Sequence, residues 1–116
     1  MTYVDGFLIP VKAANRQAYA DMAAKAGPIF KEFGATRVVE TWGDDVPHGK
    51  TTDFYMAVRA DEDEVIVFSW IEWPSKEVRD AGMAKVMVDE RMKYGSDMPF
   101  DGKRVIYGGF ATVLAI

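Results

Sequence analysis

The sequence predicts an α+β fold, in which an antiparallel four-stranded sheet is covered on one face by two helices. Three observations predict this class. Four strand-like apolar runs occur along the chain, two helical segments separate them, and a length of 116 residues suits one core. We therefore treat residues 1–116 as a single domain.

The first strand and the first helix are predicted from composition and from their end signals. Residues 2–9 (TYVDGFLI) are rich in β-branched and aromatic side chains, and Pro10 is expected to end this strand because it cannot donate to a neighbour. The helix is predicted from Asn15, typical of an N-cap, to Gly34, typical of the residue after a helix. Its apolar residues at helical spacing are Tyr19, Ala23, Ala26, Phe30 and Phe33.

The second and third strands are predicted over residues 35–42 and 64–73. The first of these alternates apolar and polar side chains, and the second (EVIVFSWIEW) is the longest apolar run of the chain. Pro74 is expected to end the third strand. Between the two strands, residues 53–60 fit a short helix or a loose strand, and the pattern does not decide between them.

The second helix is predicted over about residues 76–88, with Ser75 as its cap. Residues 89–92 are expected to add a further helical turn. The last strand is predicted over about residues 104–114, where the pair Gly108 and Gly109 marks either a bulge or a close approach of two backbones.

The resulting order, βαββαβ, is that of ferredoxin-like folds. We place the first and third strands at the sheet centre, parallel to each other, because they carry the densest apolar runs. The third strand is apolar on both faces, with Phe68 and Trp70 on one side and Val67 and Ile71 on the other. Two helices cover only one face, so we expect a second copy of the sheet to cover the other, as a homodimer.

Composition narrows the classes of partner and the location. The net charge of -4 opposes a nucleic-acid partner, because nucleic-acid affinity rests on clustered Lys and Arg. The chain has no cysteine, which excludes disulfides and thiolate metal sites. The N-terminal run is neither a signal peptide nor a membrane span, so we expect a cytoplasmic protein without a membrane partner.

The stretch GDDVPHGKT, residues 43–51, ends like a phosphate-binding P-loop. The P-loop pattern has four residues between its first glycine and Gly-Lys-[Ser/Thr], and here there are five. Pro47 also removes a backbone donor from the would-be cradle. We therefore interpret Gly49, Lys50 and Thr51 as turn geometry rather than as phosphate contacts.

Five runs of the chain, one of which extends the stretch 43–51, are distinctive: YVDGF (3–7), GDDVPHGKTTDF (43–54), VFSWIEWPSKEVRD (67–80), DERM (89–92) and MPFDGKRVIYGGF (98–110). Together they resemble the YbaA-like family, small bacterial cytosolic proteins carried as a domain of unknown function. The resemblance implies a ferredoxin-like member of the dimeric α+β barrel superfamily, in which two sheets face each other. That superfamily includes cofactor-independent monooxygenases, muconolactone isomerases and haem-degrading enzymes, but none of their catalytic motifs is found here.

Candidate catalytic residues are Glu72, His48 and Asp44. Glu72 lies among aromatic and aliphatic residues of the third strand, where a carboxylate is a candidate acid or base if it faces the barrel and a plain surface group if the strand frays beside Pro74. His48 would need an orienting carboxylate, for which the candidates are Asp44, Asp45 and Asp53, and it is otherwise a solvated turn residue. We predict no metal site, because the chain has a single histidine and no cysteine to act as ligands. We predict no cofactor, because the sequence contains no haem-ligation or dinucleotide-binding motif.

Candidate ligand-binding residues are predicted around a pocket between the helices and the sheet. Trp42, Trp70 and Tyr107 would form its apolar wall, and Asp53 would stand at its entrance. Arg104 either clamps an anion there or positions the last strand. With Lys103, it is also a candidate partner for Asp5 in the central first strand.

Two classes of function remain open from the sequence. The first is a binder of a small apolar or aromatic molecule, or a cofactor-independent enzyme of the monooxygenase or isomerase type. The second is a non-catalytic structural or regulatory module whose loops contact another protein. RNA binding is an outlying third class of function, which the net negative charge of the chain disfavours.

Overall fold

The fold is α+β, as predicted, and is built on one sheet of four antiparallel strands. It is described by a computed structural model over residues 1–93 and 97–116. The sheet order is β2-β3-β1-β4, and every neighbouring pair is antiparallel. The strands are β1 (Tyr3–Lys12), β2 (Arg37–Trp42), β3 (Glu64–Trp73) and β4 (Ile106–Ala111), and the helices are α1 (Arg16–Glu32), α2 (Phe54–Ala57) and α3 (Lys76–Val88).

The two central strands are β1 and β3, as predicted, but the prediction that they are parallel is wrong. They pair antiparallel, with Leu8 opposite Phe68. The reason lies in the connections. Helix α1 carries the chain back so that β2 runs in the direction of β1, and β3 then reverses against β2. Strand β3 lies between β1 and β2, which run in the same direction, and it pairs antiparallel with both.

Strand β1 continues through Pro10, which was expected to end it. The β4 ladder stops at the pair Leu8 and Ile106, so at Pro10 the strand has a neighbour only on its β3 side, where it faces Ile66. A missing N–H is tolerated where a strand has a free edge. Strand β4 is correspondingly shorter than the predicted span of about residues 104–114.

The helix ends agree with the sequence signals. Asn15 precedes α1, although its side chain donates to the Pro99 carbonyl instead of capping the helix. Gly34 follows α1 with a φ of +117°, the left-handed backbone that favours glycine. Ser75 caps α3 by accepting from the Val78 N–H at 3.2 Å. No helix in the described part of the chain is long and apolar enough to cross a membrane.

Both long helices contact the sheet on the same side, here called the helix face. Two clusters of buried side chains form the core there. One surrounds Tyr19 of α1, and the other surrounds Trp73, which is fully buried beside α3. The buried members of the clusters are Ile9, Val11, Tyr19, Val67, Ala35, Ile71 and Trp73.

Asp5 is buried on the helix face and is satisfied by an ion pair, as predicted, but with a different partner. Arg79 of α3 donates to it through Nη2 at 2.7 Å, and Trp73 donates through Nε1 at 2.9 Å. Lys103 and Arg104 are not its partners, because they lie toward the other end of the sheet. The hydrogen bonds that Arg79 donates to the Asp5 carboxylate raise the pKa of its guanidinium.

The glycine pair of β4 does not form a bulge, because the β1–β4 register runs unbroken from Tyr3 to Leu8. The alternative prediction, a close approach of two backbones, is wrong at Gly109, because the atoms that come close to it belong to side chains. A Cβ there would lie 2.5 Å from the Tyr3 hydroxyl and 2.7 Å from Arg79 Nη2. Gly109 thus leaves room for the buried ion pair of Asp5 opposite it.

Candidate functional site

The sheet face opposite the helices is covered by neither long helix and carries a wide hollow. This open face bears the alternate residues of each strand. Phe68 and Phe110 project from it with 48% and 61% of their surface exposed. The hollow has a volume of about 760 Å³. Its strand residues are Val4, Gly6, Phe7, Leu8, Phe68, Trp70, Glu72, Ile106, Tyr107, Gly108 and Phe110.

Two glycines form the floor of the hollow. Gly6 of β1 lies opposite Trp70 on one side and opposite Gly108 of β4 on the other. A Cβ at either glycine would touch only the Phe110 ring, at an ordinary distance of 3.5 Å. No backbone atom of the described residues blocks a Cβ at either position, and a larger side chain there would meet the Phe110 ring and take up space in the hollow.

Aromatic rings form a wall along one side of the hollow. Phe68 packs edge-on against Trp70 with ring centres 5.7 Å apart, and Phe54 of α2 packs edge-on against Phe68 at 6.3 Å. Edge-to-face packing of this kind holds rings in fixed orientations. The sequence predicted Trp70 as a wall residue but did not assign Phe54 to the site, because its segment was undecided between helix and strand.

Glu72 is the only carboxylate among the described residues that line the hollow. Its Oε2 accepts from Trp70 Nε1 at 2.8 Å and lies 3.6 Å from Arg37 Nη1 of β2. No hydrogen bond among the described residues uses its Oε1. Glu72 lies in regular strand and faces the hollow, which is the orientation that the acid or base hypothesis requires.

The other two catalytic candidates lie outside this hollow. His48 is exposed, stacks on the Tyr55 ring at 4.3 Å, and has its Nδ1 3.7 Å from Asp53 Oδ2. Asp44 is exposed and lines a separate hollow of about 230 Å³. That smaller hollow shares Phe54 and Phe68 with the larger one, so the two are neighbours.

Asp53 organises the loop between β2 and α2. Its side chain accepts from the Met56 N–H at 2.6 Å, which caps α2, and from the Gly49 N–H at 2.9 Å. These backbone donors lower the pKa of Asp53. The Gly49 N–H, which a P-loop would present to phosphate, is thus bonded to a carboxylate of the same loop. The structure agrees with the interpretation of residues 49–51 as turn geometry.

The predicted apolar wall is divided between the two faces of the sheet. Trp42 packs on the helix face against the Tyr19 cluster, with the Arg16 guanidinium 5.4 Å from its ring centre. Trp70 lies on the open face. Tyr107 stands at the rim, with its ring stacked on Phe7 at 6.2 Å. The hollow therefore lies on the face opposite to that predicted, and only Trp70 and Tyr107 of the three aromatic residues reach it.

The Arg104 guanidinium is held by two carboxylates and one backbone carbonyl of its own chain. It binds Glu64 in a bidentate pair, through Nη1 at 2.7 Å and Nη2 at 2.8 Å. Its Nε donates to Asp101 at 2.9 Å, and Nη1 also donates to the Arg59 carbonyl. The Glu64 side chain is only 3% exposed, and the Arg104 guanidinium lowers its pKa. Of the two alternatives for Arg104, the structure supports positioning of the segment before β4.

A further polar pair on the helix face was not predicted from sequence. Tyr19 of α1 donates its hydroxyl to Glu40 of β2 at 2.5 Å. Burial raises the pKa of both groups, and Glu40 adds to the shift at Tyr19 by its charge. The sequence presents Tyr19 as an ordinary core residue at helical spacing, so nothing in the pattern indicated a partner for its hydroxyl.

Among residues 1–93 and 97–116, no three His, Asp or Glu side chains converge as metal ligands would.

Comparison with known proteins identifies relatives over nearly the whole chain. Residues 2–102 match the model of a family described as a protein of unknown function, DUF1428. The chain is 64% identical over 115 residues to the uncharacterized protein YbaA of Escherichia coli strain K12, which covers 98% of each chain. The protein of the same name from Shigella flexneri matches with the same identity and coverage. The resemblance to the YbaA-like family is confirmed.

Proposed function

The chain belongs to the DUF1428 family of proteins of unknown function, and we propose that it binds a small apolar or aromatic molecule on the open face of its sheet. In this proposal the subunit is ferredoxin-like, two subunits face each other as in a dimeric α+β barrel, and the hollows of the two sheets form one chamber. The protein acts in the cytoplasm, and nucleic acid is not its ligand.

The observation that carries the proposal is the hollow floored by Gly6 and Gly108. Its volume of about 760 Å³ lies within the range of roughly 300–1,000 Å³ typical of small-molecule sites. Such sites are mostly apolar with a few polar groups that orient the ligand. Here Phe68, Trp70 and Phe110 supply the apolar surface, and Glu72 supplies the polar group.

A second copy closes the chamber in this proposal, because one subunit leaves large aromatic side chains in water. A fully buried Phe or Trp removes about 150–250 Å² from solvent, worth roughly 4–6 kcal/mol at 25 cal/mol per Å². On the open face, Phe68 is 48% exposed and Phe110 is 61% exposed. Facing sheets bury both side chains by symmetry and enclose the hollow between them.

Glu72 selects the ligand in the proposal. Its Oε2 is held by Trp70 and lies near Arg37, so Oε1 is the oxygen available to a ligand. A carboxylate in an apolar chamber favours a ligand that carries one N–H or O–H donor on an otherwise apolar body. Should the protein be an enzyme, Glu72 is the group that would take up the ligand proton.

The proposal is tested by filling the floor of the hollow. Gly108→Leu introduces a side chain where the backbone has room, and Gly102→Leu is the matched control because a Cβ there meets nothing within 4 Å. The probe is Nile red, an uncharged aromatic dye whose fluorescence rises in apolar surroundings. We expect the wild type to bind the dye saturably. The dissociation constant should be at least tenfold larger for Gly108→Leu and should change less than twofold for Gly102→Leu.

Equal binding by the Gly108→Leu and Gly102→Leu proteins would contradict the proposal, because the dye would then lie elsewhere. A wild-type protein that forms a dimer yet gives no saturable binding would instead favour the non-catalytic interaction module. Native mass spectrometry of the purified wild type provides a second test, since a bound small molecule of constant mass would identify the ligand directly.

A further inference from the structure

We propose that the segment after β4, residues 112–116 (TVLAI), crosses to a second copy and covers the edge of that copy's hollow. The inference rests on the proposed dimer, and it adds that each chamber contains side chains from both subunits. It assigns a role to an apolar segment that the core of its own chain does not use.

The segment is apolar, ordered at its start and exposed beyond it. Thr112 is anchored to β1 by its N–H, which donates to the Thr2 carbonyl at 3.2 Å, and by a hydroxyl contact with Thr2 at 2.7 Å. After this anchor Val113 is 93% exposed and Leu114 is 73% exposed, and Ile116 is also exposed. Consecutive exposed aliphatic residues of this kind mark an interaction surface.

The position of the segment specifies what it covers. Leu114 and Ala115 lie at the rim of the hollow of their own subunit, so the segment leaves the sheet on its open side. Four extended residues span roughly 13 Å, which exceeds the roughly 10 Å between two sheets packed face to face. Residues 113–116 are therefore long enough to reach a facing sheet and to bury Val113 and Ile116 against it.

The open face is extensive enough to serve as an interface. Two strands of ten residues and two of six, about 4.8 Å apart, present a projected area of roughly 500 Å². Stable interfaces bury about 800 Å² of accessible surface per partner. Two exchanged segments related by the two-fold axis add accessible surface to that of the sheet face on both subunits.

The experiment compares two pairs of substitutions at exposed aliphatic residues. Val113→Asp with Ile116→Asp alters the segment, and Met87→Asp with Val88→Asp is the matched control at the end of α3, where both side chains are also exposed. Sedimentation velocity over a dilution series gives the dimer dissociation constant. We expect the first pair to raise it at least tenfold and the control to change it less than twofold.

A cross-link measurement keeps the test decisive if the aspartate variant does not fold. The natural chain has no cysteine, so Val113→Cys carries a single benzophenone label. Isotopically heavy and light chains are mixed, exchanged and irradiated. Cross-links between one heavy and one light chain, located on the open face, are the expected result.

The outcomes separate this inference from the function on which it rests. A wild-type dimer whose dissociation constant is equally affected by both pairs of substitutions, or whose cross-links all lie within one chain, would overturn the role of the segment and leave the enclosed chamber intact. A wild type that is monomeric at every concentration would overturn both.

Discussion

At the residue scale, the buried carboxylates Asp5 and Glu64 are each held by specific partners. Asp5 is held by Arg79 and Trp73, and Glu64 is held by Arg104 at the opposite end of β1 and β3. Sequence patterns cannot identify such pairs, because the partners are separated by 40 residues or more along the chain. Sequence alone did show that Asp5 lies within an apolar strand and needs a partner.

The pair of Glu64 and Arg104 predicts a specific pH dependence of stability. The pKa of Glu64 is lowered on folding from its ordinary value of 4.5, so the pair stabilises the fold above that pH and the contribution is lost as the pH falls through the lowered pKa. We expect Glu64→Gln to reduce the free energy of unfolding by about 2 kcal/mol at pH 7. The difference between the two proteins should shrink toward zero in acid.

Urea unfolding at several pH values between 7 and 3 measures this difference. Arg104→Gln should remove the same acid-dependent part, because Glu64 then lacks its cation. A difference between wild type and Glu64→Gln that stays constant over the whole pH range would contradict the assignment.

At the element scale, the parts of the fold that the sequence predicted best have end signals and a local cause. The bounds of β3 and α3 agree with the prediction because Pro74 and Ser75 separate them sharply. The end of β1 was missed because Pro10 is tolerated only through the early stop of β4, which is a long-range fact. The face of the hollow was misassigned for a similar reason. Trp42 and Trp70 are equivalent as sequence signals, and only strand register separates them.

The loop from β2 to α2 depends on Asp53, and this gives a second prediction. Asp53→Ala removes the acceptor for the N–H groups of Met56 and Gly49 at once. We expect amide hydrogens of residues 46–58 to exchange at least tenfold faster, since short helices depend strongly on their caps. Hydrogen–deuterium exchange with mass spectrometry measures the effect.

Asp45→Ala is the matched control, because Asp45 is an exposed carboxylate of the same loop. Its exchange pattern should match that of the wild type. If Asp53→Ala left the protection of residues 46–58 unchanged, the loop would be held by contacts other than this cap. The result matters for the site because Phe54, the first residue of α2, forms part of the aromatic wall.

At the scale of the whole molecule, the sheet is covered by helices on one side and open on the other. The sequence predicted this asymmetry, because β3 is apolar on both faces while only two helices of useful length are predicted to cover the sheet. It could not predict the hollow itself. The floor depends on Gly6 and Gly108 lying side by side on neighbouring strands, and glycines at positions 6 and 108 carry no signal of that pairing.

The dimer and the chamber predict that binding and assembly are coupled. Phe110 is exposed on the open face, and Phe110→Asp introduces a charge that two facing sheets would have to bury. An unpaired buried charge costs several kcal/mol, so we expect Phe110→Asp to be monomeric at micromolar concentration, while Met87→Asp on α3 remains dimeric.

Light scattering and Nile red fluorescence are followed together over a dilution series. If the chamber forms only between two sheets, wild-type dye binding should fall with the fraction of dimer, and Phe110→Asp should bind at least tenfold more weakly at every concentration. Wild-type binding that stays constant while the dimer dissociates would mean that a single subunit holds the ligand, and the facing sheet would then have no part in the site.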